Sequence, residues 1–393
     1  MSIANSFNIG ITGLNSSSGA MNVIADNIAN AGTLGFKSSR AEFQDMLSTS
    51  LRGIDGGDQF GTGSKISAVK PIFTQGSVVR TENATDLAIN GQGFFTLNTP
   101  FGKTFSRDGS FHLDKDGSLI NNDGYKVLGY TANDNGEITN NIQELKLGKF
   151  FVPAKGTNKV SVNMNLDSRA MKKEFNVAEA DKTSNFTTGV VVYDNVGTQR
   201  LVNMYFSKID NNKWKYNVLV DPEDAAGDVK TPQIMASGQL IYSDKGILME
   251  EIQDQNSFNF NKGASPDQKI EFDFGPSIKD DGLGTNASTQ FGSNSSVSRY
   301  TQNGSSAANL TSISFNDNGI LTAVYSNGDA KDLFQIGVSR FENNEGLFKI
   351  GKNLFKETRK SGQGVVGKPN EGGRGEVLSR SIEQSNVDMG KEF

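Results

Sequence analysis

IANSFNIGITGLNSSSGAMNVIADNIAN, residues 3–30, carries Ile3, Phe7, Ile11, Leu14, Met21, Ala25 and Ile28 at spacings of three and four, with Ser18 at the remaining seam position. This is the narrow apolar stripe of a helix made to lie against another helix. The run Ala25 to Asn30 closes it. Asn30, Gly32 and then Gly35 can take the left-handed backbone angles that stop a helix and turn the chain. An isolated helix of this length is marginal in water, so the segment is expected to fray alone and to gain order against copies of itself. Periodicity alone leaves open a plainer arrangement, in which the helix docks on its own domain.

Outward from this helix the texture changes. Arg40 to Leu51 carries Phe43, Met46, Leu47 and Leu51 and reads as a short second helical stripe. Gly53–Gly63 reads as a flexible Gly-rich connection. From Ile66 onward, short apolar runs alternate with turns: Leu87–Ile89 and Phe94–Leu97 are expected strands. Asn90–Gly93, Arg107–Gly109, Lys115–Gly117 and Asn122–Gly124 are expected turns, because Asp-Gly and Asn-Gly tolerate positive φ. Val160 to Phe274 reads as a second β unit, with Trp214 half-buried in an alternating strand. Gly282–Ser306, rich in Gly, Ser and Asn, reads as a linker. Strand texture returns at Ile313 to Val338, and Ser379 to Phe393 begins a helix capped by Ser385 or Asn386.

This order predicts a mainly β fold of two nested antiparallel domains, the second inserted in the first, with terminal helical segments forming a coiled-coil-type polymerisation region. The expected boundaries are 1–36 for the N-terminal helix and 37–70 for a connecting region. The inner β domain takes 71–147 and 291–372, the inserted domain 148–290, and 373–393 starts the C-terminal helical region.

Composition narrows the function. The 393 residues carry 39 Lys and Arg against 44 Asp and Glu, a net charge of -5, which disfavours nucleic acid or an anionic membrane as partner. Apolar content is 35% with 44 glycines, in keeping with thin cores and many turns. Without cysteine there are no disulfides, thiolate metal sites or Cys nucleophile. No apolar run approaches the ~18 residues that would suggest a membrane span, and the N-terminus does not read as a cleavable secretory signal. The single histidine, His112, has no acid or nucleophile committed to it. Gly362–Pro369 fails as a phosphate loop because Pro369 stands where Ser or Thr is required. Asp114–Gly117 fails as a calcium loop because Tyr125 occupies the position of the bidentate Glu. No catalytic, cofactor or metal site is expected, and the chain does not read as an enzyme.

Ala25-Asp-Asn-Ile-Ala-Asn-Ala-Gly-Thr-Leu-Gly-Phe-Lys37 resembles the N-terminal signature of bacterial flagellar rod and hook axial proteins. Thr85–Phe95, Tyr325–Gly328 and Ser385–Asp388 resemble further motifs of that family, in the same order. The resemblance covers about two-thirds of the chain. Length and the inserted domain are closer to hook than to distal rod members, which are the alternative along with a non-enzymatic surface β-binding module.

The resemblance implies an exported extracellular subunit of the flagellar hook that needs no cofactor. It would polymerise with itself into a helical tube that bends while transmitting torque from rod to filament. Further implied partners are the distal rod protein, the hook cap, the hook–filament junction protein and the flagellar type III export machinery. Phe7, Ile11, Leu14, Met21 and Ile28 would pack in the inner tube. Asn27 and Asn30 would hydrogen-bond into the Gly32–Phe36 loop, which Phe36 would anchor. Family members continue the C-terminal helix past Asn-Val-Asp, whereas this chain ends at Phe393, so the partner helix is expected to be cut short.

Overall fold

A computed structural model of the chain describes residues 3–46, 49–50, 59–133, 136–148, 150–227, 230–279 and 287–393. It divides into two compact units, Met1–Phe150 with Leu310–Phe393, and Phe151–Asn309.

The first unit begins with helix α1, Ile3–Ala29. The helix rests on an antiparallel pair of strands, Ser39–Asp45 and Ser64–Pro71, with Ser39 opposite Pro71 and a bulge between Glu42 and Phe43. This hairpin corrects the expected helical stripe. Phe43 lies in a strand and is exposed, while Leu47 and Leu51 lie outside the described residues. An apolar run this short does not fix its own period; pairing with the second strand decides it. Of the Gly53–Gly63 connection, residues 53–58 also lie outside the described residues, and Gln59–Phe60 pairs with Thr49–Ser50.

The core of this unit draws on both halves of the chain. Leu87, Ile89, Phe95, Leu97 and Val127 pack with Phe315, Leu321, Phe334, Ile336 and Val338. Strand Phe94–Thr99 pairs with Gly102–Ser106, Lys126–Ala132 and Val338–Arg340. Gly117 and Gly124 take positive φ as their turns require. Gly109 does not; it is there for close approach, since a Cβ would lie 1.8 Å from the Leu87 carbonyl oxygen.

The stretch expected to begin a helix at Ser379 opens as strand instead. Glu376–Ser379 and Ser381–Glu383 are strands, paired with Leu87–Asn90 and Val78–Arg80. Only Met389–Glu392 is helical, and its cap is Asp388, which accepts from the Gly390 amide, rather than Ser385 or Asn386. Backbone pairing to strands already in place outweighs the weak helical pattern.

The second unit is built on a five-stranded antiparallel meander running from Phe186–Tyr193 to Leu248–Asn256. A three-stranded sheet, Glu271–Asp273, Lys159–Asn165 and Ser296–Gln302, completes it, and one pairing there is parallel. Val160, Val162, Phe272 and Phe274 pack with Met204, Phe206, Trp214 and Tyr216 in one core. The stretch Gly282–Ser306 is therefore not simply a linker: it supplies a strand, and this unit runs to Asn309 rather than ending at 290. Trp214 is wholly buried rather than half-buried, and its Nε1 donates to Gln290 Oε1 at 2.7 Å. The incoming and outgoing strands pair, Phe151 opposite Asn309 and Val152 opposite Ala308.

Candidate assembly face

Two faces of α1 behave differently. One face is small and polar. Ser16 Oγ donates to the Ser64 carbonyl at 3.0 Å, and the Ser64 amide donates to Thr12 Oγ1 at 3.3 Å. Gly19 lies over Ile66, where a Cβ would come within 2.3 Å of the Ile66 side chain. Asn27, buried, forms a two-way bridge with Ser39: its Nδ2 donates to the carbonyl, its Oδ1 accepts from the amide, both at 2.9 Å. This face seats the helix on the hairpin.

The other face is the heptad seam. Phe7, Leu14 and Met21 are 69%, 73% and 66% exposed, and Ile3 and Ile11 are exposed as well. Ala25 and Ser18 are exposed and Ile28 is half-buried. The helix thus docks on its own unit, as periodicity allowed, but does so without its apolar stripe.

The turn after α1 departs from expectation in detail. Asn30 and Gly32 are not left-handed; only Gly35 is, at φ 64°. The helix ends instead by tightening, with the Ala31 amide donating to the Ile28 carbonyl and Thr33 to Asn30. Asn27 reaches Ser39 and Glu392 rather than the Gly32–Phe36 loop. Asn30 Nδ2 turns back to Asp26, while its Oδ1 accepts from Thr33 Oγ1 at 3.2 Å. Phe36 is buried, with the Lys349 ammonium 4.3 Å from its ring centre.

Behind the turn sits a group of charges that sequence reasoning missed. Lys37 Nζ lies 2.6 Å from Glu383 Oε1, both side chains fully buried. Arg107 Nη1 lies 3.1 Å from Glu383 Oε2. The remaining valences are met by backbone: Lys37 Nζ donates to the Thr74 carbonyl, the Gly76 amide donates to Glu383 Oε1, and Arg107 donates to the carbonyls of Ile89 and Gly91. Arg107 Nε alone has no partner. Burial lowers the Lys37 pKa from its ordinary value against the opposing pull of Glu383, and it lowers Arg107 in the same way. Asn386 finishes the knot: its Oδ1 accepts from the Ser38 amide at 2.7 Å and its Nδ2 donates to the Ile72 carbonyl at 2.8 Å. The only sequence signal was Lys37 and Asn386 standing within the two terminal motifs.

The positions weighed for other chemistry are occupied by structure. His112 is exposed on a two-residue strand. Asp114 accepts from the amides of Asp116 and Ser118 and closes its own turn. Gly364 donates to Glu357, and the Arg374 side chain covers Gly367. Among the described residues no group of three or more His, Asp or Glu is placed to hold a metal ion, and no helix is long and apolar enough to cross a membrane.

The chain thus joins an N-terminal helix with an unused apolar seam to a β unit interrupted by a second β unit. Residues 7–37 match the family model described as Flagella basal body rod protein. Residues 88–165 match the Flagellar hook protein FlgE/F/G D1 domain, and 165–305 the Flagellar basal body protein FlaE D2 domain. The flagellar hook protein FlgE of Salmonella typhimurium is 31% identical over 395 residues, covering 99% of this chain and 92% of that protein. That of Treponema pallidum is 29% identical over 426 residues, covering 98% and 92%. A crystal structure of Helicobacter pylori flagellar hook protein FlgE2 shares the fold, with a TM-score of 0.57 at 14% identity over 78% of this chain and 100% of that one. The chain belongs to the flagellar hook protein FlgE family and is a structural component of the hook.

Proposed function

We propose that the α1 seam of Phe7, Ile11, Leu14, Met21 and Ile28 is the face through which copies of this chain polymerise into the hook tube. The observation that carries this reading is the division of labour on the helix. The polar face is spent on the hairpin, while large apolar side chains stay in water, where each would gain roughly 1.5–3 kcal/mol on full burial. In the tube the terminal helices would line the inside and the β units would face outward. The stiff lining resists twist while weaker polar contacts between β units slide as the tube bends, so it works as a universal joint carrying torque from rod to filament.

The signature residues serve this seam from behind. Asn27, Asn30, Gly35 and Phe36 hold the helix end and the following loop in one geometry, while at Gly32 a Cβ would meet nothing within 4 Å. The subunit would travel unfolded through the flagellar type III export apparatus without a cleaved signal. It would meet the distal rod protein, the hook cap and the hook–filament junction protein at the ends of the tube. Nothing in this chemistry calls for catalysis or a cofactor. Electron microscopy of polymerised protein is the test. A version with its C-terminal helix restored is expected to form tubes, and L14D and I28D in that version are expected to form none while both β units stay folded. Tubes from either variant would refute the seam.

A further inference from the structure

Glu383 is one carboxylate between two buried cations. Lys37 belongs to the loop that follows α1, Arg107 to a turn of the β unit, and Glu383 to the Ser381–Glu383 strand near the end of the chain. Glu383 also holds both flanks of the arm made of α1, its loop and the hairpin. Its carbonyl accepts from the Gly35 amide at 2.8 Å, ahead of the hairpin. Its Oε1 accepts from the Gly76 amide at 2.8 Å, just beyond it. Neighbouring contacts converge on the same place: the Asn386 side chain takes the Ser38 amide, and Asn353 donates to the Leu34 carbonyl. Without Glu383, docking the arm would bury Lys37 beside Arg107 with no anion between them, an arrangement that low-dielectric surroundings penalise heavily. Burial already lowers the proton affinity of both cations with the carboxylate present.

We infer that Glu383 is an electrostatic latch: the arm docks on the β unit only when the Ser381–Glu383 strand has brought its carboxylate between Lys37 and Arg107. Docking of residues 3–46 is thereby conditional on a strand more than 330 residues further along the chain. A chain that becomes free to fold from its N-terminus onward cannot fix the seam-bearing helix until its C-terminal strand has arrived. The inference rests on the buried charges alone and stands or falls independently of the tube.

Hydrogen exchange on the full-length chain, read by mass spectrometry, tests it with K37M, E383Q and K37M/E383Q. Gln keeps the shape of Glu and removes its charge, exchanging one of the two acceptor oxygens for an NH2 donor. In E383Q, peptides covering 31–46 and 72–80 are expected to exchange at least tenfold faster than in the parent. Peptides of the Phe151–Asn309 unit and the fluorescence of Trp214, the single tryptophan, stay unchanged. K37M removes one of the opposed cations and is expected to stay within threefold of the parent. The double variant, with one cation and no anion, is expected to recover part of the loss, since either Arg107 or the Gly76 amide still faces the NH2 group of Gln. Should E383Q prove insoluble, the same logic expects K37M/E383Q to restore soluble protein. Parent-like exchange in E383Q overturns the latch. So does a K37M/E383Q chain as loose or as insoluble as E383Q, or a K37M chain as loose as E383Q, since these mean packing rather than charge governs docking.

Discussion

Replacing Leu14 by Asp is expected to separate assembly from folding. Leu14 is 73% exposed in the single chain. Exposed substitutions of this kind typically alter stability by within about 0.5 kcal/mol, with up to ~0.7 kcal/mol more from the poorer helix propensity of Asp. In a helix–helix contact the account reverses. The lost leucine forfeits roughly 1.5–3 kcal/mol of apolar burial, and a carboxylate forced into the same place costs several kcal/mol more. Taking ~4 kcal/mol as the total, and ~1.4 kcal/mol per factor of ten, the critical concentration for tube formation rises about a thousandfold. Sedimentation of the version with its C-terminal helix restored, across a concentration series, measures that quantity directly, with thermal melting as the control for the fold. A control L14M substitution keeps volume and apolarity and is expected to polymerise near the parent concentration. The reasoning fails if L14D assembles within tenfold of the parent, or if its melting temperature falls enough to make the loss of tubes a loss of fold.

Three further outcomes follow from the same geometry. Gly35→Ala places a Cβ 2.4 Å from the Asp108 amide nitrogen at a φ of 64°. It is expected to cost about 1–3 kcal/mol of stability in the first unit, seen as a lower urea midpoint by circular dichroism; a midpoint equal to the parent's would mean that the loop is not held against Arg107 and Asp108. Trp214→Phe leaves the buried Gln290 carbonyl oxygen without the indole N–H. Desolvation of that oxygen alone is worth about 1–3 kcal/mol, expected as a fall in the melting temperature of the Phe151–Asn309 unit while protection of α1 is unchanged. The third concerns alkaline pH. Lys37 is lowered from 10.5 in the folded chain by burial. Between that lowered value and 10.5 the unfolded chain binds more protons at this site than the native one, so stability rises with pH in that window. The parent is therefore expected to gain stability relative to K37M as pH climbs toward 10.5, measured by urea denaturation at fixed ionic strength. A difference that shrinks with rising pH would show that the pull of Glu383, not burial, dominates the lysine.

What could be read from the chain alone was local. The spacing of Phe7, Leu14, Met21 and Ile28 writes a heptad seam whatever surrounds it, and the short apolar run Phe94–Leu97 after the Asn90–Gly93 turn writes a strand. Gly117 and Gly124 mark turns because positive φ is a property of one residue and its neighbours. The terminal motifs gave the family. Three features were decided by tertiary structure. Ser39 to Asp45 is a strand because Ser64–Pro71 lies beside it and Asn27 ties its first residue to α1. Residues 296–302 are a strand because Lys159–Asn165 offers an edge; a Gly/Ser/Asn composition says only that such a stretch need not be ordered. The knot of Lys37, Arg107 and Glu383 was invisible because its partners stand 346 and 276 residues apart. A charged residue in a sequence looks like solvated surface until the fold removes the water around it, and only the fold shows which distant carboxylate then answers it.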